Sequence, residues 1–127
     1  MIEQGVYTLL AATSTIAAMV GTRIYPLILP EASVLPALTY QVVGGHSSAT
    51  FDTAGMTRLR MQFDCWGADY LDAITLRVAL IAALNGYQGL LSDGTNLQNA
   101  QQLQNVDFFD HEARYYRAMT EFYLYFD

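Results

Sequence analysis

Thr57-Arg58-Leu59-Arg60-Met61-Gln62-Phe63-Asp64-Cys65-Trp66 alternates in character, the odd positions mostly apolar and the even ones mostly polar until Trp66. Successive side chains on a strand point to opposite faces, so this period of two predicts a half-buried β-strand over 57–66. After Gly67 the period changes, and Leu71, Ile74, Val78, Ile81 and Leu84 recur every three or four residues. That spacing predicts a helix with those five side chains on its buried side. A strand feeding a helix that covers its sheet is the kernel of an α+β sandwich.

The rest of the chain is read around that kernel. Residues 2–12 predict a helix with Ile2, Val6, Leu9 and Leu10 on one face. Thr13-Ser14 can cap a second short helix through Val20, with Gly21 as its left-handed stop. One bent helix is the alternative; in either form the segment packs as a lid. Residues 23–30 are β-rich but carry Pro26 and Pro30, which cannot donate to a ladder, so an edge strand or extended arm is expected. After a loop over 31–36, residues 37–43 predict a strand ending at Gly44-Gly45, antiparallel to 57–66. Between these strands, 46–56 (HSSATFDTAGM) has no apolar period. It is longer than the roughly two to five residues usual in hairpins, a length that points to function or disorder.

Downstream, Asn85-Gly86 stops the helix, and 90–101 reads as a loop with an Asp93-Gly94 turn. Residues 103–110 and 115–126 then predict two strands joined around His111-Glu112. The last strand places Tyr116, Phe122, Leu124 and Phe126 on one face and Tyr115, Met119, Tyr123 and Tyr125 on the other. Apolar character on both faces asks for cover on the side away from the helices. Another subunit and the 23–30 arm are the two candidates.

The expected fold is a single α+β domain over 1–127. It has a mainly antiparallel sheet, an N-terminal helical segment and one long central helix packed on one face. An apolar share of 53% supplies a core. Net charge is −6, and all six cations are arginine. Duplex nucleic-acid binders carry a clustered basic surface, and here only Arg58/Arg60 and Arg114/Arg117 pair up, as expected of salt bridges or partner contacts. Cys65 is the only cysteine, which excludes an intrachain disulfide and a structural zinc site. Alternation places it on the apolar face as a buried, inert thiol. Met1-Ile2-Glu3-Gln4-Gly5 shows no secretory signal, and the apolar stretch 78–84 is far short of the ~20 residues needed to span a bilayer, so a soluble protein made in the cytoplasm is expected.

No constellation of catalytic residues emerges. His46, Ser47, Ser48 and Asp52 are the residue types of a hydrolase triad, but they share one loop, and no nucleophile elbow follows a strand. His111, between Asp110 and Glu112, sits in a strand-to-strand turn, a normal home for such residues. Asp69 and Asp72 begin the central helix, where carboxylates favour the positive end of its dipole. No glycine loop precedes a helix to hold phosphate. No cofactor, metal or enzymatic activity is expected.

Several segments together resemble the tail completion, or tail terminator, proteins of long-tailed bacteriophages. They are Gly21-Thr22-Arg23-Ile24-Tyr25-Pro26, Pro30, Pro36-Ala37-Leu38-Thr39-Tyr40-Gln41, Gln62-Phe63-Asp64-Cys65-Trp66 with its alanine-rich helix, and the aromatic last strand. The resemblance implies a hexameric ring at the head-proximal end of the tail tube, ending tube polymerisation and joining tail to head. It implies as partners further copies of the chain, the tail tube protein and a head connector protein, with DNA passing through the lumen unbound, no membrane, and residence in the virion. On that reading the 44–56 loop reaches a neighbouring subunit, the tube or the lumen, with Gly44 and Gly45 as hinge, His46 and Asp52 within it, and Phe51 as apolar anchor. Arg58 and Arg60 pair with carboxylates of the next protomer, and Tyr123 and Tyr125 cover an inter-subunit seam. A head-side stopper or adaptor ring and a small ligand-binding α+β module with an apolar pocket between helix and sheet are the competing expectations.

Overall fold

The alternating stretch is a strand, β4 (Thr57–Gly67), at the middle of the sheet. Its inward residues Leu59, Met61, Phe63 and Cys65 are all buried, as the period of two requires. The computed structural model describes residues 2–43, 50–51 (backbone only) and 57–126. Within them the other elements are α1 (Ile2–Ala12), α2 (Ser14–Val20), β1 (Ile24–Pro26), β2 (Ala37–Val42), β3 (Thr50–Phe51), α3 (Tyr70–Leu84), β5 (Gly89–Leu90), β6 (Asn96–Asp110) and β7 (Tyr115–Phe126). The strands run in the order β1-β2-β4-β7-β6-β5, and β3 adds a short pairing to β4. β4 pairs with β7 over its whole length, from Thr57 opposite Phe126 to Gly67 opposite Tyr116. The fold is α+β and the sheet is mixed: β1 runs parallel to β2, while the other pairs are antiparallel. The proline-bearing segment is thus an edge strand of three residues, as expected where prolines withdraw donors.

One face of the sheet carries the core. Phe63 and Phe122 meet edge to face, their centroids 5.9 Å apart. Around them pack Val6 and Leu10 of α1, Ile16 and Val20 of α2, and Leu76 and Leu80 of α3. Fully burying a side chain of this size contributes about 1.5–3 kcal/mol. The N-terminal segment is two helices and not one bent helix, because Thr13 takes an extended conformation between them. Its hydroxyl donates back to the Leu9 carbonyl at 2.9 Å and does not cap α2. Gly21, at φ 59° and ψ −119°, closes α2 in a positive-φ conformation that favours glycine, its amide donating to the Ala17 carbonyl, and not in the left-handed helical conformation expected of a stop.

Three further expectations need correction. α3 is the longest of the helices on this face, beside the expected N-terminal segment, and its buried stripe is rotated from the one its spacing suggested, with Leu84 common to both and Ile74 and Ile81 half-buried. Ala73, Leu76, Arg77, Leu80 and Leu84 face inward, whereas Leu71 and Val78 are 72% and 60% exposed. The helix is apolar almost all round, so local geometry sets its rotation: Gly67 lets the Ala73 backbone come so close that a Cβ would sit 2.7 Å from the Ala73 nitrogen. Asp69 occupies the N-cap position, yet its side chain makes no cap bond. Finally, 96–101 is strand and not loop. β6 begins at Asn96, and a register shift between Leu97 and Asn99 lets Leu97 and Ala100, three residues apart, both reach the core.

Candidate functional site

The sheet face opposite the helices brings together the even positions of β4 and the odd positions of β7. Cross-strand register sets Arg58 opposite Tyr125, Arg60 opposite Tyr123, Gln62 opposite Glu121 and Asp64 opposite Met119. Arg60 Nε donates to Glu121 Oε2 at 2.7 Å, and Gln104 of β6 donates to the other carboxylate oxygen. Glu121 is 3% exposed, and these donors, Arg60 first, hold its carboxyl below the usual range. The Arg58 guanidinium lies 4.4 Å from the Tyr123 ring centroid, Tyr123 contacts Tyr125 edge to face, and the Tyr125 hydroxyl donates to Gln101 Oε1 at 3.1 Å.

Asp64 behaves in the opposite way. It is 5% exposed; Gln62 donates to its Oδ2 at 3.0 Å, while Oδ1 has no hydrogen-bond donor and sits 3.8 Å from Arg117. Burial outweighs those contacts and pushes its pKa up. Arg117 itself stacks 4.0 Å above Phe108, and Trp66 Nε1 donates to Thr39 Oγ1 at 3.0 Å. Long side chains laid flat across one another therefore cover this face. The expectation of a greasy second face gives way to a polar network that largely covers itself, and the 23–30 arm joins the sheet edge through β1.

Four of the expected contact residues, Arg58, Arg60, Tyr123 and Tyr125, are thus neighbours on one surface. The carboxylate paired with Arg60 within the chain is Glu121. Phe51 lies in β3 with its backbone opposite Thr57. Gly44, Gly45, His46 and Asp52 lie outside the described residues, and so do the serines of the triad reading. Sequence reasoning missed Glu121, Asp64, Gln62 and Gln104. Their polar character was visible, but what unites them is cross-strand register.

Elsewhere, His111 stands at the exposed β6–β7 turn against the Phe109 ring, 4.9 Å between centroids. Among the described residues no three His, Cys, Asp or Glu side chains gather to hold a metal, and no helix is long and apolar enough to cross a membrane. Cys65 is fully buried, and desolvation raises its thiol pKa far above the ordinary value. Buried side chains pack between helices and sheet, and a pocket of about 410 Å³ opens at the margin, between Glu3, Gln4 and Tyr7 of α1 and Ile24, Pro26 and Tyr40 of the sheet. A cleft of about 540 Å³ lies between the 29–35 loop and the residues Ala113 to Tyr115.

The family model of the tail completion protein gp17 matches residues 4–127. The chain belongs to that family. No curated protein matches it at a significant level. Among solved structures, a chain from the virion of a native gene transfer agent particle shares the fold, with a TM-score of 0.73 at 20% identity. The match covers 95% of this chain and 90% of that one. Membership of the tail completion family makes the chain a viral structural protein of the phage tail, in a family that is structural and not enzymatic.

Proposed function

We propose that the chain forms a ring, hexameric by family resemblance, at the head-proximal end of the tail tube, where it ends tube polymerisation and joins the tail to the head. The observation that carries this reading is the family match over nearly the whole chain, residues 4–127. The fold shared with a chain of a gene transfer agent virion supports it. A net charge of −6 without lysine suits a lumen through which DNA slides unbound. The surface of Arg58, Arg60, Tyr123 and Tyr125 serves as a contact with the next subunit or a partner. The 44–56 segment, with Gly44, Gly45, His46, Phe51 and Asp52, reaches toward a neighbour, the tube protein or the lumen.

Size-exclusion chromatography with light scattering tests the assembly, on the protein alone and with tail tube protein. A discrete ring-sized species in either condition is expected, and a strict monomer in both overturns the reading. Electron microscopy of particles lacking the protein tests its place. Overlong tails are expected; tails of normal length beside heads that leak DNA would assign the chain to a head-side stopper or adaptor instead.

A further inference from the structure

The sheet margin beside α1 carries a charge that the chain does not match. Glu3 stands in the first turn of α1, and Tyr7 follows one turn later on the same flank. Tyr40 of β2 meets them from the sheet, its ring centroid 6.2 Å from that of Tyr7 and the two planes tilted by 46°. These three side chains, with Gln4, Ile24 and Pro26, line the pocket of about 410 Å³. A second hollow of about 360 Å³ adjoins it and shares Glu3, Pro26 and Tyr40, so the two form one trough along the margin. Burial first, then Tyr7 and Glu3, push the Tyr40 phenol above its ordinary value of 10.0, which places the three groups within electrostatic reach of one another.

No cation pairs with Glu3 among the described residues. The chain has no lysine, and all six arginines are placed elsewhere. Arg23 donates to the Met19 and Pro36 carbonyls, and Arg60 and Arg77 pair with Glu121 and Asp107. Arg58, Arg114 and Arg117 lie over the rings of Tyr123, Phe109 and Phe108. The positive end of α1 accounts for a carboxylate in its first turn. It does not account for two half-buried tyrosine rings and an apolar floor grouped around that carboxylate, with Ile24 only 4% exposed beneath.

We propose that this trough binds an arginine side chain presented by an unlike, basic protein. The guanidinium lies over the tyrosine pair, its N–H fork reaches the Glu3 carboxylate, and its methylene stem rests on Ile24 and Pro26. Arginine suits the place better than lysine, because its planar cation stacks on a ring while its edge stays free to donate. Charge selects an unlike partner: each copy of this chain carries −6 and holds its own arginines, whereas a basic surface is drawn to that field. The inference goes beyond the proposed ring and does not depend on it.

NMR of the full chain with isotope-labelled tyrosine, titrated with N-acetylarginine amide, tests the site. The Tyr7 and Tyr40 ring signals should shift and saturate in the millimolar range, and the neutral isostere N-acetylcitrulline amide should bind at least about tenfold more weakly. Glu3→Gln should weaken the arginine probe by about 3–10-fold, while Glu112→Gln at the exposed β6–β7 turn leaves it unchanged. Signals that do not saturate, equal binding of the citrulline probe, or an equal loss in Glu112→Gln overturn the site. Spermidine binding more than about tenfold tighter than the arginine probe would assign the trough to a free amine and overturn the protein partner. Glu3→Gln should keep the parent's oligomeric state by light scattering; loss of a parent assembly would seat a second copy in the trough and overturn the unlike partner, while the ring itself stands.

Discussion

Arg77 is a cation on the buried stripe of α3, 9% exposed, and replacing it with methionine separates two accounts of why it is there. Its Nη1 donates to the Met119 carbonyl of β7 at 3.2 Å and to Asp107 Oδ1 of β6 at 2.6 Å, so it ties the helix to two strands at once. Methionine keeps much of the apolar stem and a similar helix propensity, so the change isolates the polar end. A hydrogen bond from a charged donor contributes about 1.5–3 kcal/mol, and an orphaned buried acceptor costs about 1–3 kcal/mol. Asp107 is not left as a stranded charge, because its side chain is 42% exposed and keeps the Tyr70 hydroxyl at 2.8 Å. The about 3–5 kcal/mol cost of breaking a fully buried pair therefore does not apply. A loss of about 2 kcal/mol is expected, lowering Tm by roughly 6–10 °C for a chain of this size. Urea and thermal unfolding of Arg77→Met, Asp107→Asn and the double variant, at one protomer concentration, give the cycle. Asp107→Asn should cost less than about 1 kcal/mol, because the amide oxygen can still accept from Arg77 and the Asp107 side chain is 42% exposed. If Arg77→Met matched or exceeded the parent, the buried guanidinium would be a desolvation burden and the staple argument would fail.

The two carboxyl groups of the outer face should respond to pH with opposite signs. Glu121 sits below its ordinary value of 4.5, so its stabilisation is present above that pH and is lost as pH falls through the lower folded value. Asp64 is raised above 3.8, so its ionised form penalises folding at neutral pH and the penalty fades as pH falls through the raised value. Thermal midpoints at neutral pH should therefore fall for Glu121→Gln and hold or rise for Asp64→Asn, with both differences shrinking in acid; a shared fall of similar size at pH 7 would refute the assignment. Gly67→Ala should cost about 1–3 kcal/mol by overpacking against the first turn of α3, read by urea unfolding, because the new Cβ would meet the Ala73 nitrogen at 2.7 Å and the Asp69 carbonyl at 2.8 Å. An alanine variant as stable as the parent would show that α3 is free to shift.

The period-two signal of β4 was legible because one face meets a core and the other does not; Leu59, Met61, Phe63 and Cys65 had no alternative direction. The edge strand at Ile24–Pro26 was legible from proline chemistry. The rotation of α3 was not, since alanine, leucine and isoleucine surround that helix and its orientation is fixed by Gly67 and by Arg77 reaching the strands. The first half of β6 was hidden for a related reason. Its asparagines and glutamines lack a period, and a register shift moves Ala100 onto the face that Leu97 occupies. The outer network was half visible: Arg58, Arg60, Tyr123 and Tyr125 could be assigned to one kind of surface, but their buried companions depend on which rung faces which.

That network changes where a need for partners arises. An aromatic strand with two apolar faces would demand cover over the whole sheet, and a neighbour would then have to lie flat on β4 and β7. The outer face instead carries buried carboxylates that the chain's own arginines and glutamines engage, so little apolar area is left there for a neighbour to shield. Exposed apolar side chains persist elsewhere, at Leu27, Ile28 and Val34 after β1, at Leu90 of β5, and at Leu71 and Val78 of α3. If the proposed assembly forms, the charged, tyrosine-bearing face offers polar groups of fixed geometry to a partner rather than bare apolar area. A face whose polar groups are already satisfied within the chain can meet a partner, or lose it, without unfolding the sheet beneath.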